Sequence, residues 1–297
     1  MTNNSDEDSK NLSHRTKPVV LLLLDGWGIA TKNEANAIGL AKMLNIRQLA
    51  KEYPAVILFA DSGNLNTRYL TLGTGCFYEK ETEVITKLDL SALISTHNFK
   101  QLKIFDGERM AALSHFFNGR REEKINGEDW MIISSTDKQK IFDPFLSLEK
   151  TIKAIVQAIR SENYDFIVAS CSILDFLAST GNLIETIKAA EVLDKFIKRL
   201  SSEILESNGT LLITSAHGNA EKMKNLATDL EDKEMTISPV PFIIVNTELS
   251  GKTISYHDAP DGDLSLLKPA GTLADIAPTI AKLLQIEKTD FQGKSLI

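Results

Sequence analysis

The sequence predicts an α/β fold: a single domain with a largely parallel sheet flanked by helices on both faces. Two patterns carry that prediction. Short apolar runs recur without polar alternation, as strands buried on both sides require, and longer stretches with apolar residues three or four apart lie between several of them. Size sets the scale: 297 residues, against about 150 per domain, are enough for one large or two modest domains with a substantial core.

Taken in order, the expected strands are Pro18 to Leu24, Ala55 to Phe59, Leu102 to Phe105, Trp130 to Ile133, Tyr164 to Ser170, Thr210 to Thr214 and Pro241 to Val245. A helix is expected from Leu148 to Ile159, where Leu148, Ile152, Ile155 and Ile159 share one stripe. The strongest helix runs from Leu183 to Leu205: Leu183, Ile187, Ala190, Leu193, Ile197, Leu200 and Ile204 fall on one face. Asn182 and Glu185 suit its start and Asn208-Gly209 its exit. A third helix is expected over Leu273 to Leu284. Residues 250–268 combine Gly251, Pro260 and Gly262 with His257, Asp258, Asp261 and Asp263, which reads as a surface loop. Residues 1–16 are polar and acidic and read as a disordered tail, leaving residues 17–297 as the folded domain.

Composition narrows the function. Acidic side chains outnumber basic ones 40 to 33, for a net charge of −7, and no basic stripe stands out, so nucleic acid is not an expected partner. The longest apolar run, Val19 to Leu24, falls far short of the roughly 20 residues that span a bilayer. The first residues also lack the apolar region of a signal peptide. The expected location is therefore cytoplasmic, with no membrane partner. Cys76 and Cys171, without any cysteine framework around them, read as buried free thiols.

In parallel sheets ligands gather beyond the carboxyl ends of the strands. Asp25, Asp175 and His217 each follow an expected strand, and two carboxylates with an imidazole suit a divalent ion such as Mn or Zn. Ordinary strand-end capping is the alternative at each position.

At these residues the chain resembles the bisphosphoglycerate-independent phosphoglycerate mutases of the alkaline phosphatase superfamily. The resemblance rests on Leu21 to Gly28, Asn36-Ala37-Ile38, Lys51 to Pro54, Lys100 to Ile104, Phe116 to Gly119 and Gly127-Glu128-Asp129. It continues through Tyr164 to Ile167, Thr180-Gly181-Asn182, Thr210 to Thr214, His217 to Met223, Pro239 to Phe242, Leu273 to Thr279 and Gly293 to Ile297. It implies a phosphatase-like metalloenzyme domain, a glycolysis-related activity, two divalent ions and a serine nucleophile. Two ions serve in-line phosphoryl transfer by clamping the attacking and leaving oxygens and lowering the pKa of the serine hydroxyl.

Carried over residue by residue, the resemblance implies Asp25, Asp175 and His217 as surviving metal ligands. Ser179, Ala216 and Met235 stand where three further ligands are expected, and Leu65, in Gly63-Asn64-Leu65, stands at the nucleophile position. Alanine cannot ligate, a thioether suits Mn poorly, and leucine cannot attack phosphorus. Ser62, Thr67, Thr71 and Thr74 are nearby hydroxyls with turn or packing roles available, and Leu70 to Gly75 reads as a Gly-rich turn. Losing even an outer partner of a metal ligand costs roughly 10- to 100-fold, so these losses imply that ordinary turnover is abolished. Residues 76–101 replace an inserted substrate-binding domain, and Arg109 stands at an active-site lysine position, a weak candidate for substrate binding.

Three readings follow. The first is a degenerate, catalytically inactive pseudoenzyme that binds a protein partner or small ligand and needs no cofactor. A second is a reduced phosphatase or hydrolase that holds one Mn or Zn weakly through Asp25, Asp175 and His217, with His257 or a loop aspartate as a further ligand. The third is a protein-interaction scaffold.

Overall fold

The computed structural model describes residues 16–80, 89–133, 143–253, 259–287 and 289–297. Its centre is β1 (Val19–Leu24), six buried apolar residues paired in parallel with a strand on either side. Strand periodicity divides the run between two cores: Val20, Leu22 and Leu24 enter one, and Val19, Leu21 and Leu23 enter the other. A strand covered on both faces has no polar side to show, which is why the sequence reads as an unbroken apolar run.

The chain continues through α1 (Ala37–Leu40), α2 (Leu44–Glu52), β2 (Ala55–Phe59), α3 (Leu65–Thr74), α4 (Leu90–Thr96), β3 (Gln101–Asp106) and β4 (Glu128–Ile133). Then come α5 (Pro144–Arg160), β5 (Phe166–Cys171), α6 (Ile173–Ser179), α7 (Leu183–Glu206), β6 (Thr210–Thr214), β7 (Val240–Val245), β8 (Pro269–Thr272) and α8 (Ile276–Leu283). The strands form one sheet in the order β4-β3-β5-β1-β6-β7-β2-β8. Only β7 runs antiparallel to its neighbours, β6 and β2. Helices α2, α5, α6 and α7 cover one face, and α3, α4 and α8 cover the other. The α/β class and the two-faced helical cover are as the sequence predicts.

Local chemistry explains the ends of the helices. Asn182 accepts from the Glu185 N–H at 3.1 Å to start α7, and Asn208 turns out of it with a φ of 55°. Asp143 caps α5 ahead of Pro144 in the first turn.

Three expectations are corrected. Leu70 to Thr74, expected within a Gly-rich turn, lie instead in helix α3 (Leu65–Thr74), begun by the Asn64 cap and ended by Gly75 at a φ of 60°. Thr67 to Thr74 are all buried, so the segment has no polar face to betray its period. The stretch from Ser250 is not wholly a surface loop: Ala259, Gly262 and Leu264 are buried within short 3-10 turns, while His257 and Asp258 lie outside the described residues. Strand β8 was not expected, because Pro269 and Gly271 occupy two of its four positions. Thr16 is buried and accepts from the Thr210 hydroxyl at 2.9 Å, and residues 1–15 lie outside the described residues. Both cysteines are buried and free. Among the described residues no helix is long and apolar enough to cross a membrane.

One charge is buried inside the second core. Strand alternation turns Lys103 toward that face, where its ammonium donates to Ser91 Oγ at 2.9 Å and to Asn118 Oδ1. It stands 3.3 Å from Glu128 Oε1 and 4.7 Å from the centre of the Phe117 ring. Glu128 also accepts from Trp130 Nε1 at 2.8 Å and Asn118 Nδ2 at 2.9 Å. Burial lowers the Lys103 pKa from 10.5 to about 8, even though Glu128 and Asp89 favour the charged form.

Glu128→Gln therefore leaves a buried ammonium without its counter-charge, and a loss of about 3–5 kcal/mol is expected at neutral pH. Between about 8 and 10.5 the unfolded chain holds a proton on Lys103 that the folded chain has given up, so this group's contribution to stability rises with pH. Urea unfolding at neutral pH and above pH 8 should show the variant recovering part of its loss at the higher pH.

Candidate functional site

The carboxyl ends of β1, β3, β5 and β6 converge on one buried ionic cluster. Asp25 follows β1, Asp175 lies in the first turn of α6 just after β5, and His217 follows β6. Arg109 ends the 3-10 turn Gly107–Arg109 that follows β3. Gly26 lets these loops meet: its φ is 90°, and a Cβ there would come within 2.5 Å of the Asp175 nitrogen. Its N–H donates to His217 O at 3.0 Å, while the Asp175 N–H donates to Asp25 O at 3.1 Å.

Asp25 is fully buried. Its Oδ2 accepts from Tyr69 Oη at 2.7 Å and from Arg109 Nε at 2.7 Å. Burial opposes ionisation, but the adjacent Arg109 charge leads the effects that outweigh it and hold the carboxyl below its usual range. Tyr69 is pushed well above its usual value, first by burial and then by the adjacent Asp25 charge, so it stays a donor.

Arg109 reaches a second carboxylate, donating from Nη2 to Asp175 Oδ2 at 2.5 Å. Burial disfavours its charge, yet Asp25, Tyr69 and Asp175 more than offset this and keep the guanidinium firmly protonated. The other oxygen of Asp175 accepts from Asn219 Nδ2 at 2.9 Å. Behind Arg109, Asp106 Oδ1 accepts the Arg109 backbone N–H at 3.0 Å and Asp106 Oδ2 accepts the Ser172 hydroxyl at 2.5 Å, fixing the turn that carries the guanidinium.

His217 is fully buried. Its Nδ1 lies 3.0 Å from Gly218 O, which makes Nδ1 the protonated nitrogen. Nε2 has no hydrogen-bond partner and faces Asp175 Oδ2 at 3.9 Å.

The three residues expected as surviving ligands are thus brought together, but around a guanidinium. Arg109, expected as a weak substrate-binding group, instead spends its donors on Asp25 and Asp175 and is itself buried. Ser179 is exposed, and its hydroxyl donates to Phe176 O at 2.7 Å. Ala216 is buried, with its N–H 3.4 Å from Asp25 Oδ1, and Met235 is partly exposed. Leu65 opens α3 and packs against the second core. Of the hydroxyls nearby, those of Thr67 and Thr74 donate to the carbonyls of Asn64 and Leu70, Thr71 is buried in α3, and Ser62 is exposed.

Sequence reasoning missed Tyr69, Asp106 and Arg68. Arg68 is buried one residue before Tyr69, donates from Nη1 to Thr236 O at 3.1 Å and stands 3.6 Å from Asp61. Burial lowers its pKa against the opposing pull of Asp61 and Asp25. The available signal was the pair Arg68-Tyr69 inside an otherwise uncharged, core-facing segment.

A family model described as the Metalloenzyme superfamily matches residues 17–288. The chain belongs to the metalloenzyme superfamily. Among curated proteins, the 2,3-bisphosphoglycerate-independent phosphoglycerate mutase of Antithamnion sp. is 37% identical over 214 residues, covering 70% of this chain and 39% of the relative. That of Anaplasma phagocytophilum is 35% identical over 210 residues, with the same coverage. The chain is phosphoglycerate mutase-like, and it spans about two fifths of the length of these relatives. Among solved structures, the phosphoglycerate mutase of Leishmania mexicana superposes with a TM-score of 0.56 at 21% identity, covering 70% of this chain and 38% of that one. The alkaline phosphatase of the Antarctic bacterium TAB5 superposes with a TM-score of 0.57 at 11% identity, covering 92% and 99% respectively. These likenesses establish the alkaline phosphatase-like fold.

Membership in this superfamily implies metal, and the donor set here does not fit it in the arrangement described. Two divalent ions carry four positive charges, against which the centre offers two carboxylates already paired with a guanidinium. Among the described residues no three His, Cys, Asp or Glu side chains form a group able to hold an ion.

The cluster should behave as a structural ion pair. Asp25→Ala strands a buried guanidinium, with an expected cost of about 3–5 kcal/mol. Tyr69→Phe removes one hydrogen bond to a carboxylate, with an expected cost of about 1.5–3 kcal/mol. Urea titration followed by circular dichroism measures both.

Proposed function

We propose that this chain is a non-catalytic member of the superfamily, a phosphatase-like domain retained for binding or regulation after its phosphoryl-transfer machinery was lost. The observation that carries the reading is the guanidinium of Arg109 held between Asp25 and Asp175. A cation of fixed charge with no open coordination position supplies neither Lewis acidity nor an activated water. Leu65 at the nucleophile position supports the same reading, since phosphoryl transfer through the protein needs an oxygen there. The core is compatible with a retained binding role: β1, β5 and β6 are buried throughout, so the scaffold is intact.

The ligand position carrying the most weight against a reduced one-metal hydrolase is Asp175, whose two oxygens are both taken, by Arg109 and Asn219. The feature in that hydrolase's favour is His217 Nε2, which has no hydrogen-bond partner.

Purified protein incubated with Mn2+ or Zn2+ should convert no 3-phosphoglycerate and hydrolyse no p-nitrophenyl phosphate above the rate of an Asp25→Ala control. Metal analysis after desalting should find less than one ion per chain. Turnover that disappears in Asp25→Ala, or stoichiometric metal in the wild type, would overturn the proposal.

A further inference from the structure

A cavity of about 110 Å³ lies between the segment that leads from β1 into α2 and the 3-10 turns near Gly262 and Leu264, and it shares no residue with the ionic cluster. Gly262 makes that seam close: its φ is 70°, and a Cβ there would collide with the Arg47 carbonyl. Trp27, Ile38, Met43, Ile46 and Leu264 make much of the wall apolar. Two features distinguish the cavity from a packing gap. Trp27 is only 2% exposed, yet its indole N–H has no acceptor among the described residues. A buried donor left unpaired is costly, and an apolar wall does nothing to offset it. The second feature is charge. Lys32 and Arg47 also line the cavity, are exposed, and have no ion-pair partner among the described residues. Against these two cations stands one carboxylate, Asp263, whose Oδ1 already accepts the Ser265 N–H at 3.0 Å and the Ser265 hydroxyl at 2.7 Å.

We propose that this cavity binds a small monocarboxylate with a compact apolar body. Volume sets the size: an apolar protein cavity of about 150 Å³ holds benzene, so a cavity of about 110 Å³ takes a short branched chain, with one ring as the upper limit. Chemistry sets the class. The apolar wall takes the body of the ligand, and one of its oxygens accepts the unpaired Trp27 N–H. The excess of cations favours an anionic head over a neutral one and disfavours an ammonium. The proposal goes beyond the non-catalytic reading and does not depend on it, because none of the strand-end residues lines the cavity.

The test follows the indole N–H resonances of the full chain, isotopically labelled at its 2 tryptophans, Trp27 and Trp130. The Trp27 signal is the one lost in Trp27→Phe and kept in Trp130→Phe. Isovalerate should move it saturably with a Kd of about 1 mM, the scale open to a ligand of so few atoms. The Trp130 signal, whose N–H donates to Glu128, should stay still. Isoamyl alcohol, the same body with a neutral head, should bind about 10-fold more weakly, and isoamylammonium more weakly again. Lys32→Ala combined with Arg47→Ala changes two exposed positions and should weaken isovalerate about 10-fold while leaving the alcohol unaffected. Ala41→Phe fills the cavity from a half-buried position and should abolish every shift, with Ala30→Leu as the second filling variant if the first fails to fold. A Trp27 signal unmoved by millimolar isovalerate and by benzoate overturns the proposal. So does a shift that persists in a folded filling variant, or equal affinity for the acid and the alcohol. All of these outcomes leave the non-catalytic reading standing, since none of them measures turnover or metal.

Discussion

The Arg109 guanidinium, lying between the carboxylates of Asp25 and Asp175, is the interaction around which one end of the sheet is built. Asp25 is fully buried and its charge needs a partner there, while the partly exposed Asp175 brings a second like charge beside it; a single planar cation with two usable edges serves both. It also sets the geometry. Nε faces the end of β1 while Nη2 faces the start of α6, so the loop after β3 is fixed relative to both. Tyr69 adds a contact from α3, and Asn219 adds one from the loop after β6. Five segments distant in sequence thus share one network.

A second buried ionic set stands on the same strand. Lys103 lies within β3 and Arg109 just after it, so β3 delivers one cation to the second core and another to the strand ends. The two differ in kind. Lys103 is a point charge held near its titration range by burial, whereas the delocalised guanidinium stays charged under all ordinary conditions. The structure uses the permanently charged group where two carboxylates must be satisfied, and the adaptable one where a single carboxylate shares its hydrogen bonds with Trp130 and Asn118.

Much of this was legible in the sequence, for identifiable reasons. Strands buried on both faces show as apolar runs, so β1, β2 and β6 were readable to within a residue, and α7 was readable from its single apolar stripe. Asp25, Asp175 and His217 stood out because each follows such a run. Helix α3 was not legible, since burial on nearly every side erased its period. The role of Arg109 was not legible either: its partners lie 84 and 66 residues away, and only the ordering of β3, β5 and β1 in the sheet brings them together. Sequence pattern reports which residues are buried. It does not report which strand ends become neighbours.

A cation carried on the chain differs from a bound ion in one further respect. A dissolved ion must be collected from its surroundings, and its occupancy follows the free concentration that those surroundings maintain. The guanidinium of Arg109 is present at the effective concentration of an intramolecular group, at a stoichiometry of one, from the moment the chain folds. The cation that balances Asp25 and Asp175 is therefore inherited with the sequence, at one per chain.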